Sequence, residues 1–443
     1  MRILILLLAV ILLAAPRLQA QGLDVEIIDG REAAIPIAIV PFAWDSAAMR
    51  DPTDVPAIIR SNLNRTGQFR AMPTANIREI PARGAEINMA YWRSAKQDFL
   101  VIGRVLDDPA GGFRVEFELH DVVNQRKMRE LSYPIRASEF RSVSHRISDE
   151  IYEAILGVRG AFFTKIAYIK AQRLAPNKYE YGIWVADSDG YAPQRIVRNT
   201  EPFLSPAWSP DGRYLAYVSF EREGPQSLIL RQHVYIHELA TGQRRMVTNF
   251  KGINGAPNFS PDGRTLLITL SRSGNPEINK VDLASNAITQ LTRHFGIDTE
   301  AFWMPGGNSF LFTSDRSGKP QIYALSADGG TPERVTFEGE YNAKVNVSYD
   351  GKKWAMVQGR GNVYRIAVLD RERGNPGTVR LISPGPMDES PSFAPNASMV
   401  LYAAREGSRG VLYAAAADGS VRQRLALPDG DIREPAWGPF RQR

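Results

Sequence analysis

Ser205-Pro206-Ala207-Trp208-Ser209-Pro210-Asp211-Gly212 runs into the alternating segment Tyr214-Leu215-Ala216-Tyr217-Val218, and this unit recurs through the second half of the chain. It returns as Ala256-Pro257-Asn258-Phe259-Ser260-Pro261-Asp262-Gly263 and, altered, as Ala301-Phe302-Trp303-Met304-Pro305-Gly306-Gly307. Fainter copies lie at Val345 to Gly351 and Pro391 to Ala397, and a truncated one spans Glu434 to Phe440. The copies are roughly 44 to 51 residues apart, the range of propeller blades. An apolar residue ends a strand, and Ser-Pro-Asp-Gly then turns the chain. Pro presets φ, Asp accepts a backbone N–H and Gly takes a positive φ at low cost. Two more strand-like runs follow in each period, as in Pro320 to Leu325 and Glu333 to Phe337. Each period therefore reads as a four-stranded antiparallel sheet, and the ring of sheets as an all-β propeller.

Three strands, Lys165 to Ile169, Tyr181 to Ala186 and Gln194 to Val197, have no such unit before them. The unit at Glu434 to Phe440 has no strands after it. Each lacks what the other has, so the C-terminal segment is expected to supply the inner strand of the first blade, giving six blades over 161–443.

The chain before this region has a different grammar. Ile35 to Phe42 is a buried-strand run, Asp54 to Phe69 and Ile87 to Lys96 have helical spacing, and Phe99 to Val105 is a strand. A hairpin follows (Phe113 to Leu119, then Lys127 to Ile135), and a closing helix spans Ser138 to Leu156 with Ser138 as its expected N-cap. This order predicts an α/β N-terminal domain over 21–157. Met1-Arg2, the apolar run Ile3 to Ala15 and Leu18-Gln19-Ala20 read as a secretory signal peptide over 1–20. No Cys is present, so neither a disulfide framework nor a lipid-modified Cys is available. A net charge of +6 spread over 443 residues leaves no basic footprint for nucleic acid. Gly22 to Gly30 alternates apolar and acidic residues, which suits either an edge strand or a strand offered to a partner.

No catalytic constellation emerges. His233 and His237 share one strand face without a Glu or Cys partner and read as solvent-facing, and His120, His145 and His294 are isolated. No G-x-S-x-G elbow is present, and Asp187-Ser188-Asp189-Gly190 starts like a calcium loop but lacks the later ligands, so it reads as a turn. No cofactor or metal is implied. The connections entering the inner strands are more informative, because they lie at one mouth of the central channel. They run through Phe203-Leu204-Ser205, Ile253 to Ala256, Asp298 to Ala301, Tyr341 to Lys344, Met387 to Ser390 and Ile432 to Glu434.

Taken together, the chain resembles the TolB family of the Tol–Pal system. The likeness rests on the blade at Ser205 to Gly212, on Asn254-Gly255-Ala256-Pro257, on Gly160-Ala161-Phe162 leading into Ile166-Ala167-Tyr168, and on the ending Pro435-Ala436-Trp437. It extends over the signal peptide, the α/β domain and the propeller. The resemblance implies a non-enzymatic, monomeric periplasmic adaptor that serves outer-membrane integrity and envelope constriction during division. The propeller mouth would bind the lipoprotein Pal through Leu204, Ser205, Asn254, Gly255, Ala256, Thr299, Glu300, Asn342 and Glu389. A detachable N-terminal strand within 21–33 would bind the C-terminal domain of TolA through Leu23, Asp24, Val25, Glu26, Ile27, Ile28 and Asp29. Contact with other outer-membrane proteins and attachment to the membrane only through partners are also implied. The chain departs from the family at Ile253, where relatives carry a rim His, and at Met304-Pro305-Gly306-Gly307, which lacks the turn Asp. Two rival readings are a propeller that binds a glycan or small ligand in its channel, and an enzyme using a carboxylate such as Glu300 or Glu389.

Overall fold

The computed structural model describes residues 25–27, 34–224, 226–372 and 377–442, so the expected signal peptide, Leu23, Asp24, Ile28 and Asp29 lie outside the described residues. The α/β domain is built on a sheet with strand order Phe69–Ala71, Ile35–Ile39, Phe99–Asp107, Phe113–Asp121, Arg126–Ile135, with Ala43–Trp44 beside Arg104 and Val105. The first three strands are parallel and the last two fold back antiparallel. Helices α1 (Val55–Asn64) and α3 (Phe140–Leu156) cover one face, where Ile59, Leu63, Ile147 and Ile151 pack against Val101 and Phe117. On the other face α2 (Met89–Ser94) seals Leu100 and Ile102 beneath Trp92.

Helix boundaries differ from the spacing-based expectation for local reasons. The Asp54 carboxylate accepts from the Ala57 N–H at 2.9 Å and starts α1, which stops at Asn64 rather than continuing to Phe69. Gly67 turns the chain with φ +73°, and Phe69 is taken into the sheet beside Ile35. Ser138 does not cap α3. It lies inside a 3-10 turn (Ala137–Glu139), and the Glu139 carboxylate accepts from the Arg136 N–H at 2.8 Å instead. At the other end Gly157 adopts φ +75° and donates to the Glu153 carbonyl at 2.9 Å, closing the helix before the linker.

Six four-stranded sheets follow in a ring. Blade one takes its inner strand from Asp431–Trp437, which pairs antiparallel with Lys165–Ala175, so the expected closure by the C-terminal segment is what the chain does. The Trp437 indole N–H donates to Thr164 Oγ1 at 2.9 Å, fixing the closing strand to the start of the propeller. Blade two spans 203–248, blade three 254–290, blade four 298–334, blade five 341–381 and blade six 389–424. Blade six carries a fifth strand. Val25–Ile27 pairs antiparallel with its outer edge, with Val25 opposite Gln423 and Ile27 opposite Val421.

Each inner strand is broken by a β-bulge, and at each bulge a non-Gly residue has left-handed backbone. These residues are Ser205 (φ 51°), Ala256 (46°), Glu300 (54°), Lys344 (53°), Ser390 (56°) and Glu434 (49°). Such a conformation costs of order 1 kcal/mol per residue, so the surroundings must enforce it. Bonds between blades do so. Asn258 Oδ1 accepts from the Trp303 N–H at 3.0 Å, Asn346 Oδ1 from the Phe393 N–H at 2.9 Å, and Ser392 Oγ from the Trp437 N–H at 2.8 Å. Trp208 Nε1 closes the ring by donating to the Ala436 carbonyl at 3.0 Å.

Because Trp437 is buried and hydrogen-bonded at the closure, Trp437→Ala should cost about 3–5 kcal/mol in urea unfolding, with the loss seen in the propeller transition. An unchanged midpoint would show that the ring does not depend on this latch.

Candidate functional site

The α/β domain sits at the Ser-Pro-Asp-Gly ends of blades one and six, away from the mouth. Arg65, buried at the end of α1, donates from Nη1 to the Ser188 carbonyl at 3.0 Å and from Nη2 to Ser188 Oγ at 2.8 Å. Arg141 of α3 pairs with Asp189 at 2.6 Å, and Lys165 with Asp187 at 2.7 Å. The Asp149 carboxylate accepts from the Phe162 N–H at 2.7 Å. The turn read from sequence as a failed calcium loop is thus the hub between the domains. His145, Asp187 and Asp189 bring three ligand-type atoms within 4.8 Å of one another, yet Arg141 and Lys165 already neutralise the carboxylates, so the cluster suits ion pairing rather than a metal. Burial lowers the His145 imidazole to about 4. Burial opposes the charge on Asp189, and His145, Arg141 and Arg65 outweigh it, holding the carboxyl at about 2. At neutral pH His145 is uncharged, so the two guanidinium groups supply that field.

The mouth lies at the opposite end. Its loops are shaped by buried polar side chains. Asn254 is wholly buried, accepts from the Phe250 N–H at 3.1 Å and donates to the Phe250 and Gly252 carbonyls. Asn342 is likewise buried, donating to Gln321 Oε1 at 2.9 Å and to the Glu338 carbonyl at 2.8 Å. Both sat among the expected Pal-binding residues, but their side chains are used up in bracing loops and are not presented at the surface. Thr299 is half-buried, its hydroxyl 3.2 Å from that of Thr269, while Gly255 is half-buried and Leu204 and Glu389 are exposed. Asp298, also buried, is held by Arg316 at 2.7 Å.

Around the braced loops stand apolar side chains in water. Phe295 is 87% exposed, and Phe337, Ile297, Met387, Ile253 and Leu204 are also exposed. Phe295, Ile297 and Phe337 escaped the sequence reading, because a single apolar residue in a loop breaks no period. Their position just ahead of an inner strand was the available signal. His237 is also corrected. It is buried against Tyr217 instead of facing solvent, and burial lowers its imidazole.

Ser205, Ala256 and Glu300 lie deeper, at the bulges lining the channel. Lys344 Nζ reaches Glu434 Oε2 and Ser390 Oγ, each at 2.8 Å, so one ammonium ties blade five to blades one and six. Glu300 Oε2 accepts from the Thr313 hydroxyl at 3.2 Å. Burial pushes the Glu300 carboxyl above its usual range; Lys344 pulls it back and Glu434 adds to the rise. Burial alone would lower the Lys344 ammonium, but Glu434 and Glu300 outweigh it and raise it.

Among the described residues an apolar crown stands on braced loops at the mouth of a six-bladed propeller, behind a separate α/β domain. Residues 23–128 match the TolB amino-terminal domain and residues 152–441 the TolB beta propeller domain. The chain is 55% identical over 423 residues to the Tol-Pal system protein TolB of Xanthomonas euvesicatoria pv. vesicatoria, covering 96% of this chain and 94% of that one. The same identity and coverage relate it to the Tol-Pal system protein TolB of Xanthomonas campestris pv. campestris. The crystal structure of TolB from Acinetobacter baumannii superposes with a TM-score of 0.83 at 40% identity, over 94% of this chain and 100% of that chain. The chain belongs to the TolB family, non-enzymatic components of the Tol–Pal system.

A carboxyl raised in the folded state contributes stability that is complete below its unfolded value and is lost as pH rises through its folded value. Glu300→Gln removes that loss. The variant's melting temperature relative to the wild type should therefore climb as pH increases from 4 toward 8, and a flat difference would show that Glu300 is solvated like a surface carboxylate.

Proposed function

We propose that the chain is a two-ended periplasmic adaptor, with the propeller mouth holding the lipoprotein Pal and the N-terminal segment engaging TolA. The crown of Phe295, Phe337, Ile297, Met387, Ile253 and Leu204 is the observation that carries the first half. Apolar side chains on pre-shaped loops lose little freedom on binding, which is the condition for a partner surface of useful affinity. Glu389, Thr299 and Gly255 supply the polar part of the rim, while Asn254 and Asn342 hold the loops that present it. Ser205, Ala256 and Glu300 are reached only by a partner group that enters the channel. Ile253 replaces a hydrogen-bonding rim group by an apolar one, so this mouth leans further on apolar contact.

The second half rests on where Val25–Ile27 lies. It pairs with the outer edge of one blade, and an edge strand can be exchanged for the edge of a partner sheet. Leu23, Asp24, Val25, Glu26, Ile27, Ile28 and Asp29 form the TolA-binding segment in this reading. Among the described residues no helix is long and apolar enough to cross a membrane. Export by the 1–20 leader, and membrane contact only through partners, complete the proposal. A role in outer-membrane integrity and in drawing the envelope inward at division follows from joining the two partners.

Calorimetric titration of the mature chain with the soluble domain of its own Pal-like lipoprotein tests the mouth. Leu204→Asp and Phe295→Asp should each weaken binding about tenfold or more, while Tyr349→Asp on the opposite rim leaves it unchanged. Equal affinity for all four proteins would sink the mouth assignment. A chain lacking residues 21–33 should lose binding to the TolA C-terminal domain and keep its fold. Retained TolA binding would move that site elsewhere.

A further inference from the structure

The half of the channel facing away from the mouth holds a cavity of about 420 Å3, within the ordinary size range of small-ligand sites. Its inner end is the bulge ring, where Glu300, Lys344 and Glu434 meet. Phe302 and the prolines Pro210, Pro261 and Pro305 form apolar walls and rim. Two carboxylates face one ammonium at the inner end, and that ammonium is already committed to Glu434 and Ser390. Among the described residues the Thr313 hydroxyl is the side-chain donor to Glu300, and Lys344 is shared between the two carboxyl groups, so carboxyl groups outnumber ammonium groups at the floor.

The level above the floor adds a second requirement. Asn258 and Asn346 line the cavity, and their amide oxygens are spent on the Trp303 and Phe393 N–H groups of neighbouring blades. Among the described residues their amide N–H2 groups make no hydrogen bond, which leaves donors directed at whatever fills the space. A divalent cation needs several oxygen ligands, and at the inner end Lys344 Nζ already takes Glu434 Oε2 and Ser390 Oγ and sets a positive charge beside any such ion. An ammonium on an apolar body with a carbonyl close by satisfies both levels.

We propose that this cavity binds the free amino end of an apolar peptide. The ammonium sits at Glu300, the first carbonyls accept from the Asn258 and Asn346 amides, and the first side chain lies against Phe302 and the proline rim. The site is at the opposite end of the channel from the proposed Pal surface. Pro261, Pro305 and Tyr349 are exposed at the rim, so entry does not require the mouth to open.

Phenylalaninamide carries the ammonium, carbonyl and apolar body and serves as the probe, titrated calorimetrically into the mature chain. Saturable binding is expected. N-acetylphenylalaninamide, which lacks the charge, should not bind, and Glu300→Gln should weaken the probe about tenfold or more. Ala207→Trp, which places an indole in the cavity, should abolish binding while Pal-domain titration is unaltered. The proposal is overturned by any of four results: no heat from phenylalaninamide, equal binding of the acetylated probe, saturable binding of calcium chloride with none of the amide, or full affinity in Ala207→Trp.

Discussion

Everything in the propeller depends on six left-handed residues, one at the bulge of each inner strand. A bulge shifts the register of a strand and sharpens its twist, so the inner strand pairs normally above and below while its middle turns toward the axis. Repeated six times, the shift sets which side chains line the channel. It also sets which ones reach across to the next blade. Asn258, Asn346 and Ser392 exploit that placement by accepting a backbone N–H from the neighbouring sheet. The backbone strain and the blade-to-blade bonds are therefore two sides of one arrangement: the bonds hold the strained residues in place, and the strain points the bonding residues outward from their own sheets.

The same bulges place Glu300, Lys344 and Glu434 side by side, though they come from three different blades. Removing one member of a buried charged group leaves the others uncompensated, so these residues are coupled to the closure of the ring as much as to any ligand. At the other end of blade one, the Arg65, Arg141, Asp187 and Asp189 cluster couples the α/β domain to the ring by the same logic. The mouth differs in kind. Its buried Asn254 and Asn342 are neutral and Asp298 is paired with Arg316, and the exposed side chains above them are apolar.

What could be read from the sequence follows how local the physics is. Ser-Pro-Asp-Gly encodes its turn within four residues, so the blades, their number and the C-terminal closure were legible. The bulges were not, because Glu300 and Lys344 are poor candidates for left-handed backbone and only neighbouring blades make them adopt it. Asn254 and Asn342 were found as rim positions, but their burial depends on loop-closing bonds to Phe250 and Glu338 that follow no period, and on Gln321 from the preceding blade, 21 positions away. His145 looked isolated for the same reason: Asp189 is 44 positions away and joins it only when the domains pack. Ser138 misled because a good capping residue one position early was overridden by the Arg136–Glu139 pair.

Val25–Ile27 on blade six has a further consequence. Only six residues separate Ile27 from Ala34, the start of the anchored α/β domain, so a released Ile27 stays within about 25 Å of that anchor. A segment tethered this closely re-pairs with its own blade at an effective concentration on the order of millimolar. The partner proposed for the segment would thus meet an internal competitor that is never diluted. Its success is set by a ratio of two strand pairings rather than by its affinity alone, and each residue added to or removed from the blade-six pairing resets the threshold at which the outside partner wins.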